Sequence, residues 1–539
     1  MSKGEVMTGP ESGTAAATVE GKGLRGGALG LLSSVVVGLA SMAPAYSLAA
    51  TLGLIVASGG AQLCGVKAPA VVLISFIPMY LIAIAYQELN KAEPDCGTTF
   101  TWATRAFGPI VGWLGGWGII AAEVIVMANL AEISAAYSFR FAADLGWVSL
   151  ADVSSSRLWP TVVGVFWIVA MTYVCYRGIQ VSARLLNALL AFQIVVLLVF
   201  SMVALVKTYT LDIQGFSLHP SLSWFWPGGL DFGNTIAPAA LMAIFMYWGW
   251  DTAVACNEES DDPSRTPGRA AIISALLLLG TYTVVTVSAI AFAGVGTQGI
   301  GLGNPRNSKD AFASIGPVLF GNGIPGKIAM LALGTSILTS ALASTQTTIL
   351  KTARTTLSMG VFKALPASFA KTHDRYLTPT TSTVAVGVVS VVFYVLFTLI
   401  STNLLAALIG SVGLMIAFYY GLTGFACAWY YRRTLTRSVR NLVTRGIVPL
   451  LGGMTLLIVL IYGLNQYARP EWLTDDNGHN ITILGVGAVA AVGIGALVLG
   501  SILMVIWWAI APDFFRGRTM TYGSSAADAG ADVAQSAGP

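Results

Sequence analysis

The chain has 539 residues, 55% of them hydrophobic and only 10% charged, with a formal net charge of +4 and a mean hydropathy of +0.74. Soluble domains carry about 25% charged residues, so this composition excludes an ordinary soluble fold, and the positive balance bears on membrane orientation rather than on nucleic acid. Five scattered cysteines (Cys64, Cys96, Cys175, Cys256, Cys427) without CxxC spacing, and three histidines in loops (His219, His373, His479), point away from a disulfide framework or a metal site.

Residues 1–28 read as a disordered cytoplasmic tail: Glu5, Glu11 and Glu20 stand among small residues, without the basic start and cleavage site of a signal peptide. Twelve apolar stretches follow, each long enough for the roughly 20 residues a crossing helix needs. They lie near 30–57, 67–89, 109–139, 159–176, 183–206, 236–257, 270–294, 327–357, 380–401, 404–431, 447–467 and 481–511, and are numbered here as spans 1 to 12. Only the polar turn Ser401-Thr402-Asn403 parts spans 9 and 10. From Arg518 onward the chain is Ala, Gly, Ser and Asp, too poor in large apolar residues to pack, so 513–539 reads as a second disordered cytoplasmic tail.

Spans 1 and 6 are each interrupted midway, by Ser41-Met42-Ala43-Pro44 and by Tyr247-Trp248-Gly249-Trp250-Asp251. Unwinding a helix in hydrocarbon frees N–H and C=O groups that lipid cannot satisfy, so such breaks line a cavity, and breaks at matching positions of two halves mark a transporter's binding site. If spans 1 and 6 correspond, spans 1–5 (29–207) and 6–10 (208–431) are two five-helix repeats. The odd number inverts the second relative to the first, and 432–512 adds spans 11 and 12. With the N-terminus inside, roughly three quarters of the 29 basic residues fall on the cytoplasmic side, which puts both termini there. Lys351, Arg354, Lys363, Lys371 and Arg375 are assigned to one such loop, and Arg432, Arg433, Arg437, Arg440 and Arg445 to another. Their bland role is topology and lipid headgroup contact.

Three stretches resemble the amino acid, polyamine and organocation transporter superfamily. They are Val37-Gly38-Leu39-Ala40-Ser41-Met42-Ala43-Pro44; Glu93-Pro94-Asp95-Cys96-Gly97-Thr98-Thr99-Phe100-Thr101-Trp102 with Arg105-Ala106-Phe107-Gly108-Pro109; and Phe245-Met246-Tyr247-Trp248-Gly249-Trp250-Asp251, running into Glu258-Glu259 and Asp262-Pro263-Ser264-Arg265-Thr266-Pro267. In general appearance the chain is most similar to the actinobacterial amino acid permeases. The resemblance implies that backbone amides at Ser41, Met42 and Ala43, with Tyr46 nearby, hold a substrate carboxylate. The exposed N–H groups and dipole of a half-helix start favour an anion there. The family's break is richer in glycine than this one, and the alternative is a structural kink at Pro44. At the second break, carbonyls near Gly249 would take the substrate amine and an aromatic would close over it. Spacing to Gly249 favours Phe245, with Tyr247 and Trp248 as alternatives, against the bland reading of a packing or interfacial aromatic run.

Two carboxylates stand within spans and are functional candidates by default. Asp251 occupies the family's usual glutamate position, for coupling or, alternatively, for capping the unwound segment. Glu123 falls on the substrate-facing stretch of span 3 and shares a face with Met127. It has three possible roles: pairing a distal substrate amine, titrating with a coupled proton, or bonding helix to helix. Gln193 aligns with a lysine that replaces sodium in some relatives. Ala341, Ser344 and Thr345 offer a carbonyl and two hydroxyls in a pattern that resembles a sodium site, or else simply pack.

The reading is a secondary active amino acid transporter of the cell membrane working by alternating access. It is cation-coupled, with proton ahead of sodium, and has neither cofactor nor bound metal beyond that possible sodium. A polyamine or organic amine carrier is the runner-up. A nutrient sensor built on a transporter frame is more remote, and so is a membrane enzyme, for which no metal spacing or nucleophile elbow exists.

Overall fold

The computed structural model describes residues 22–59, 63–147, 153, 156–211, 216–307, 310–400, 402–474 and 479–520. Most of the two predicted tails (1–21 and 521–539) and Ser401 of the predicted polar turn lie outside the described residues. Eleven helices among those described are long and apolar enough to cross a membrane. They match every predicted span but the sixth, which is split into Phe232–Met246 and Thr252–Ala255. The protein is an all-α integral membrane protein. Apart from isolated bridges, the strand content of the described residues is one antiparallel pair, β1 (Thr482–Ile483) and β2 (Val486–Gly487), with Thr482 opposite Gly487.

Burial sorts the spans into a centre and a rim. The most apolar window of span 1 (Leu31–Ala57) is 94% buried, against 22% for span 4 (Leu158–Tyr176) and 28% for span 12 (Ala488–Ile510). The rim helices turn Phe166, Val195, Val388, Ile458 and Ile506 outward, an apolar surface that only lipid or another apolar partner satisfies. Span 3 (Pro109–Asp144) and span 8 (Ile324–Val361), the longest two at 36 and 38 residues, pack along each other, and span 8 also packs on both halves of span 1.

Both breaks have local causes. Proline lacks an N–H and disfavours the α conformation in the residue before it. Pro44 accordingly starts a new helix, Pro44–Ala57, and Ala43 before it leaves the α-helical region, standing at φ +47° in the left-handed region. In span 6 the helix Ala237–Met246 stops, and Gly249 turns the chain at φ +121° before Thr252–Ala255 resumes. Between spans 2 and 3 the segment that carried the family resemblance folds into a helix of its own, Thr99–Phe107. A further short helix, Ala311–Phe320, precedes span 8, its first turn capped by the Asp310 carboxylate accepting from the Ala313 N–H at 2.9 Å.

Candidate substrate and coupling site

The two breaks touch. Gly249 lies so close to Ser41 that a Cβ at position 249 would stand 2.8 Å from the Ser41 carbonyl carbon and 2.9 Å from its oxygen. Ser41 Oγ is 2.8 Å from Thr252 Oγ1, and Ser344 Oγ of span 8 donates to the Ser41 carbonyl at 3.1 Å. The carbonyls freed by unwinding are met from the side. Met42 O accepts from Ser47 Oγ at 2.7 Å, and the Tyr282 hydroxyl of span 7 (Thr266–Ala293) lies 3.2 Å from Met42 O and 3.0 Å from Met246 O. One hydroxyl thus ties the ends of both first half-helices together, as the rule that buried backbone groups find partners requires.

Of the amides expected to bind a carboxylate, that of Ala43 is bonded to the Ala40 carbonyl at 3.2 Å. The neighbouring Tyr46 N–H goes to Ser340 Oγ, also at 3.2 Å. Phe245 meets Tyr46 edge-on with ring centroids 6.4 Å apart, and Trp248 lies at the same distance from Phe245. The Tyr46 hydroxyl donates to Asn129 of span 3. Tyr247 turns instead toward span 2 (Gly65–Ala92), where its hydroxyl donates to Val72 O at 3.2 Å and its ring packs on Phe76. The breaks therefore gather Ser41, Met42, Ala43, Tyr46, Phe245, Trp248 and Gly249, and leave Tyr247 in the packing behind them.

The largest departure from the sequence reading is Lys351. Assigned above to a cytoplasmic loop, it lies inside span 8 with its side chain fully buried. Its ammonium is 2.7 Å from Glu123 Oε1, 2.7 Å from Asp251 Oδ2 and 3.0 Å from the Tyr419 hydroxyl of span 10 (Thr402–Tyr430). All three of its donors are thereby used. The Tyr419 hydroxyl in turn lies 3.2 Å from Asp251 Oδ2 and accepts from the Trp248 indole N–H. The ammonium also sits 5.1 Å from the centroids of the Trp248 and Tyr419 rings, within cation–π reach. Glu123 therefore already has an ammonium partner, and Asp251 does not cap the backbone of Thr252–Ala255. When all three groups are ionised the cluster holds two negative charges and one positive in a buried place, a combination that favours uptake of one cation or proton. Met127, one turn beyond Glu123, is fully buried.

Arg354 was likewise read as a loop residue and is buried in span 8. It grips Glu259 with two bonds, Nε to Oε2 at 2.6 Å and Nη2 to Oε1 at 2.9 Å, the fork geometry that makes arginine–carboxylate pairs strong. A signal for both was present: a basic residue several positions inside an apolar span is as much a functional flag as an acidic one. The other ion candidates are engaged or enclosed. The Thr345 hydroxyl back-bonds to the Ala341 carbonyl at 2.9 Å, Ser344 is taken by Ser41, and Gln193 is buried with neither amide atom partnered among the described residues.

Side-chain contacts bridge the bundle on both sides of the breaks. On one side an aromatic layer of Tyr86, Trp102, Trp250 and Tyr420, with Tyr86–Trp250 and Trp250–Tyr420 centroids 5.0 Å apart, underlies the breaks. Beyond it Lys22 places its ammonium 2.6 Å from both Asp95 Oδ2 and Glu258 Oε1. Burial works against that charge, but the carboxylate of Asp95, the Cys96 thiol and Glu258 outweigh it and hold the lysine well above its usual pKa. Asp95, Cys96 and Glu258 present ligand atoms within 4.8 Å of one another, yet the Lys22 ammonium already lies on both carboxylates. Burial, with Glu258 next to it, pushes the Cys96 thiol up, away from the thiolate a metal needs. At the other end the Tyr137 hydroxyl joins span 3 to Asp310. Lys22→Ala is expected to lower thermal stability by about 1.5–3 kcal/mol, because Asp95 and Glu258 lose the ammonium they share. An unchanged unfolding transition would show that Lys22 does not tie this end together.

Residues 29–489 match the sequence profile of the family described as amino acid permease. The chain belongs to the amino acid permease family. The permease is 27% identical over 478 residues to an uncharacterized transporter of Mycobacterium tuberculosis, covering 87% of this chain and 91% of that one. It is 27% identical over 349 residues to a branched-chain amino acid permease of Bacillus subtilis, covering 62% and 68% of the two chains. With a putative arginine/ornithine antiporter of Escherichia coli it shares 27% identity over 257 residues, 45% and 52% of the two. The permease is a multi-pass membrane transporter for amino acids or amines, and not an enzyme.

Proposed function

We propose that the permease carries zwitterionic amino acids with uncharged side chains across the cell membrane, coupled to protons, by alternating access of two inverted repeats (29–207 and 208–431), with both termini in the cytoplasm. The single observation that carries this reading is the position of Lys351 between Glu123 and Asp251. A polyamine or a cationic side chain would have to share the two carboxylates with the protein's own ammonium, which already lies 2.7 Å from each. The rings of Phe245 and Trp248 and the side chain of Met127 then favour an apolar substrate side chain. The substrate carboxylate docks at the span 1 break, competing with the Ala40 carbonyl for the Ala43 N–H, and the amine docks at the carbonyls of the span 6 break. The branched-chain permease among the relatives supports this choice; the arginine/ornithine antiporter supports a second reading, in which a cationic side chain displaces Lys351.

Protonation of the buried cluster accounts for coupling. The two carboxylates share one ammonium at 2.7 Å each, and with all three groups ionised one added proton removes the net negative charge. Sodium at Ala341, Ser344 and Thr345 would be held by the lone pairs that the Ser344 and Thr345 hydroxyls keep while donating to Ser41 O and Ala341 O, and it would bring no charge partner of its own, whereas the carboxylates of the buried cluster accept a proton directly. The test is uptake of labelled leucine, arginine and putrescine by proteoliposomes under an imposed proton or sodium gradient. Leucine uptake driven by the proton gradient and indifferent to sodium is expected. Uptake confined to arginine or putrescine overturns the substrate assignment, and dependence on sodium overturns the coupling.

A further inference from the structure

A polar cleft of about 350 Å³ opens at the end of the bundle that carries Lys22, between the last turns of span 2, the first turns of span 7 and the segment leading into span 11. Its wall holds five cations, Lys91, Arg265, Arg269, Arg440 and Arg445, against one carboxylate, Glu88. Glu88 is already spent: it is 2.5 Å from Lys91 Nζ and 2.8 Å from Arg445 Nε. Arg265 lies beside Asp262, whose carboxylate is bonded to Ser264. Arg269 and Arg440 form no ion pair among the described residues. Guanidinium groups gathered in one cleft repel each other unless an anion joins them.

The walls are held in place. A Cβ on Gly268 would meet the Gln87 backbone at 2.9 Å, so span 7 begins hard against span 2. Asn90 donates to the carbonyl of Pro263 at 2.8 Å. Above the cleft the same helix faces become apolar. Ile273, Leu276 and Leu277 follow Arg269 on span 7 at the three- and four-residue intervals that keep one helix face, and Ile447 and Leu451 lead from the π-helical turn Leu442–Ile447 into span 11, all exposed.

From this arrangement we infer that the cleft binds a phosphate group, that of an anionic phospholipid whose acyl chains lie along the exposed faces of spans 7 and 11. Arginine forks match phosphate oxygens, and basic pockets between membrane helices at the cytoplasmic face suit lipid headgroups. The site is independent of the substrate reading, since it needs only the bundle to lie in a bilayer.

The test compares the full-length protein with Arg269→Gln/Arg440→Gln, and with Arg437→Gln as a control outside the cleft. Each is purified into nanodiscs of phosphatidylcholine alone or with phosphatidylglycerol, and retained lipid is counted by native mass spectrometry. The wild type and the control are expected to retain phosphatidylglycerol, and the double variant to bind it about tenfold or more weakly, in keeping with the contribution of each basic residue near a headgroup. A second arm titrates inorganic phosphate into the phosphatidylcholine nanodiscs and follows thermal stability. Stabilisation there that the double variant loses assigns the site to soluble phosphate rather than lipid. Equal lipid retention by all three proteins, with no variant-dependent response to phosphate, overturns the inference.

Discussion

Lys351→Met is expected to abolish uptake and to destabilise the protein by about 3–5 kcal/mol, the cost of leaving a buried charge partner uncompensated. The ammonium uses all three of its donors on Glu123, Asp251 and Tyr419, so its removal leaves two carboxylates facing each other away from water. The measurement is thermal unfolding of the purified variant alongside uptake. Adding Asp251→Asn to Lys351→Met should recover part of the stability, because it removes one of the orphaned charges, but not transport. A stable, active Lys351→Met protein would mean that the cluster is neither a structural tie nor the coupling site.

Gly249→Ala should be nearly as severe for a different reason. Position 249 sits at φ +121°, which an L side chain rarely adopts, and the new methyl would press on the Ser41 carbonyl at 2.8 and 2.9 Å. Backbone strain and overpacking together cost about 2–5 kcal/mol. The strain falls where the two breaks meet, so substrate affinity should fall along with stability. Gly280→Ala is the matched control: Gly280 lies in the helix Thr266–Ala293 with nothing within 4 Å of an added Cβ, and the change is expected to stabilise by about 0.5–1 kcal/mol. Equal behaviour of the two variants in thermal unfolding and substrate-induced stabilisation would detach Gly249 from the site.

The predicted spans and the positions of both breaks were legible because they depend on local properties. Twenty apolar residues need no partner to be recognised, and Pro44 and Gly249 impose their backbone wherever they occur. Glu123 and Asp251 stood out in the same way, as charges inside apolar segments. Tyr247 was indistinguishable from Phe245 and Trp248 in sequence. Which ring of an aromatic run faces a cavity depends on how an unwound segment turns, and helical periodicity stops applying there.

The sequence by itself determined that this is a membrane-embedded helical transporter with two interrupted spans, since hydropathy, helix-breaking residues and charge asymmetry are written residue by residue. Only the tertiary structure decided what the buried charges do. Lys351 and Arg354 are read as loop cations although they fall at the end of the predicted span 8 (327–357), and only the packing shows that they face Glu123, Asp251 and Glu259. Those partners are separated from them by about a hundred residues or more. Pairing at such distances follows from how helices pack, and no local pattern encodes it; the same packing brought Gly249 against Ser41 and set Lys22 on Asp95 and Glu258. A charge alone in a sequence is a cost, and its partner, found only in three dimensions, turns that cost into a mechanism.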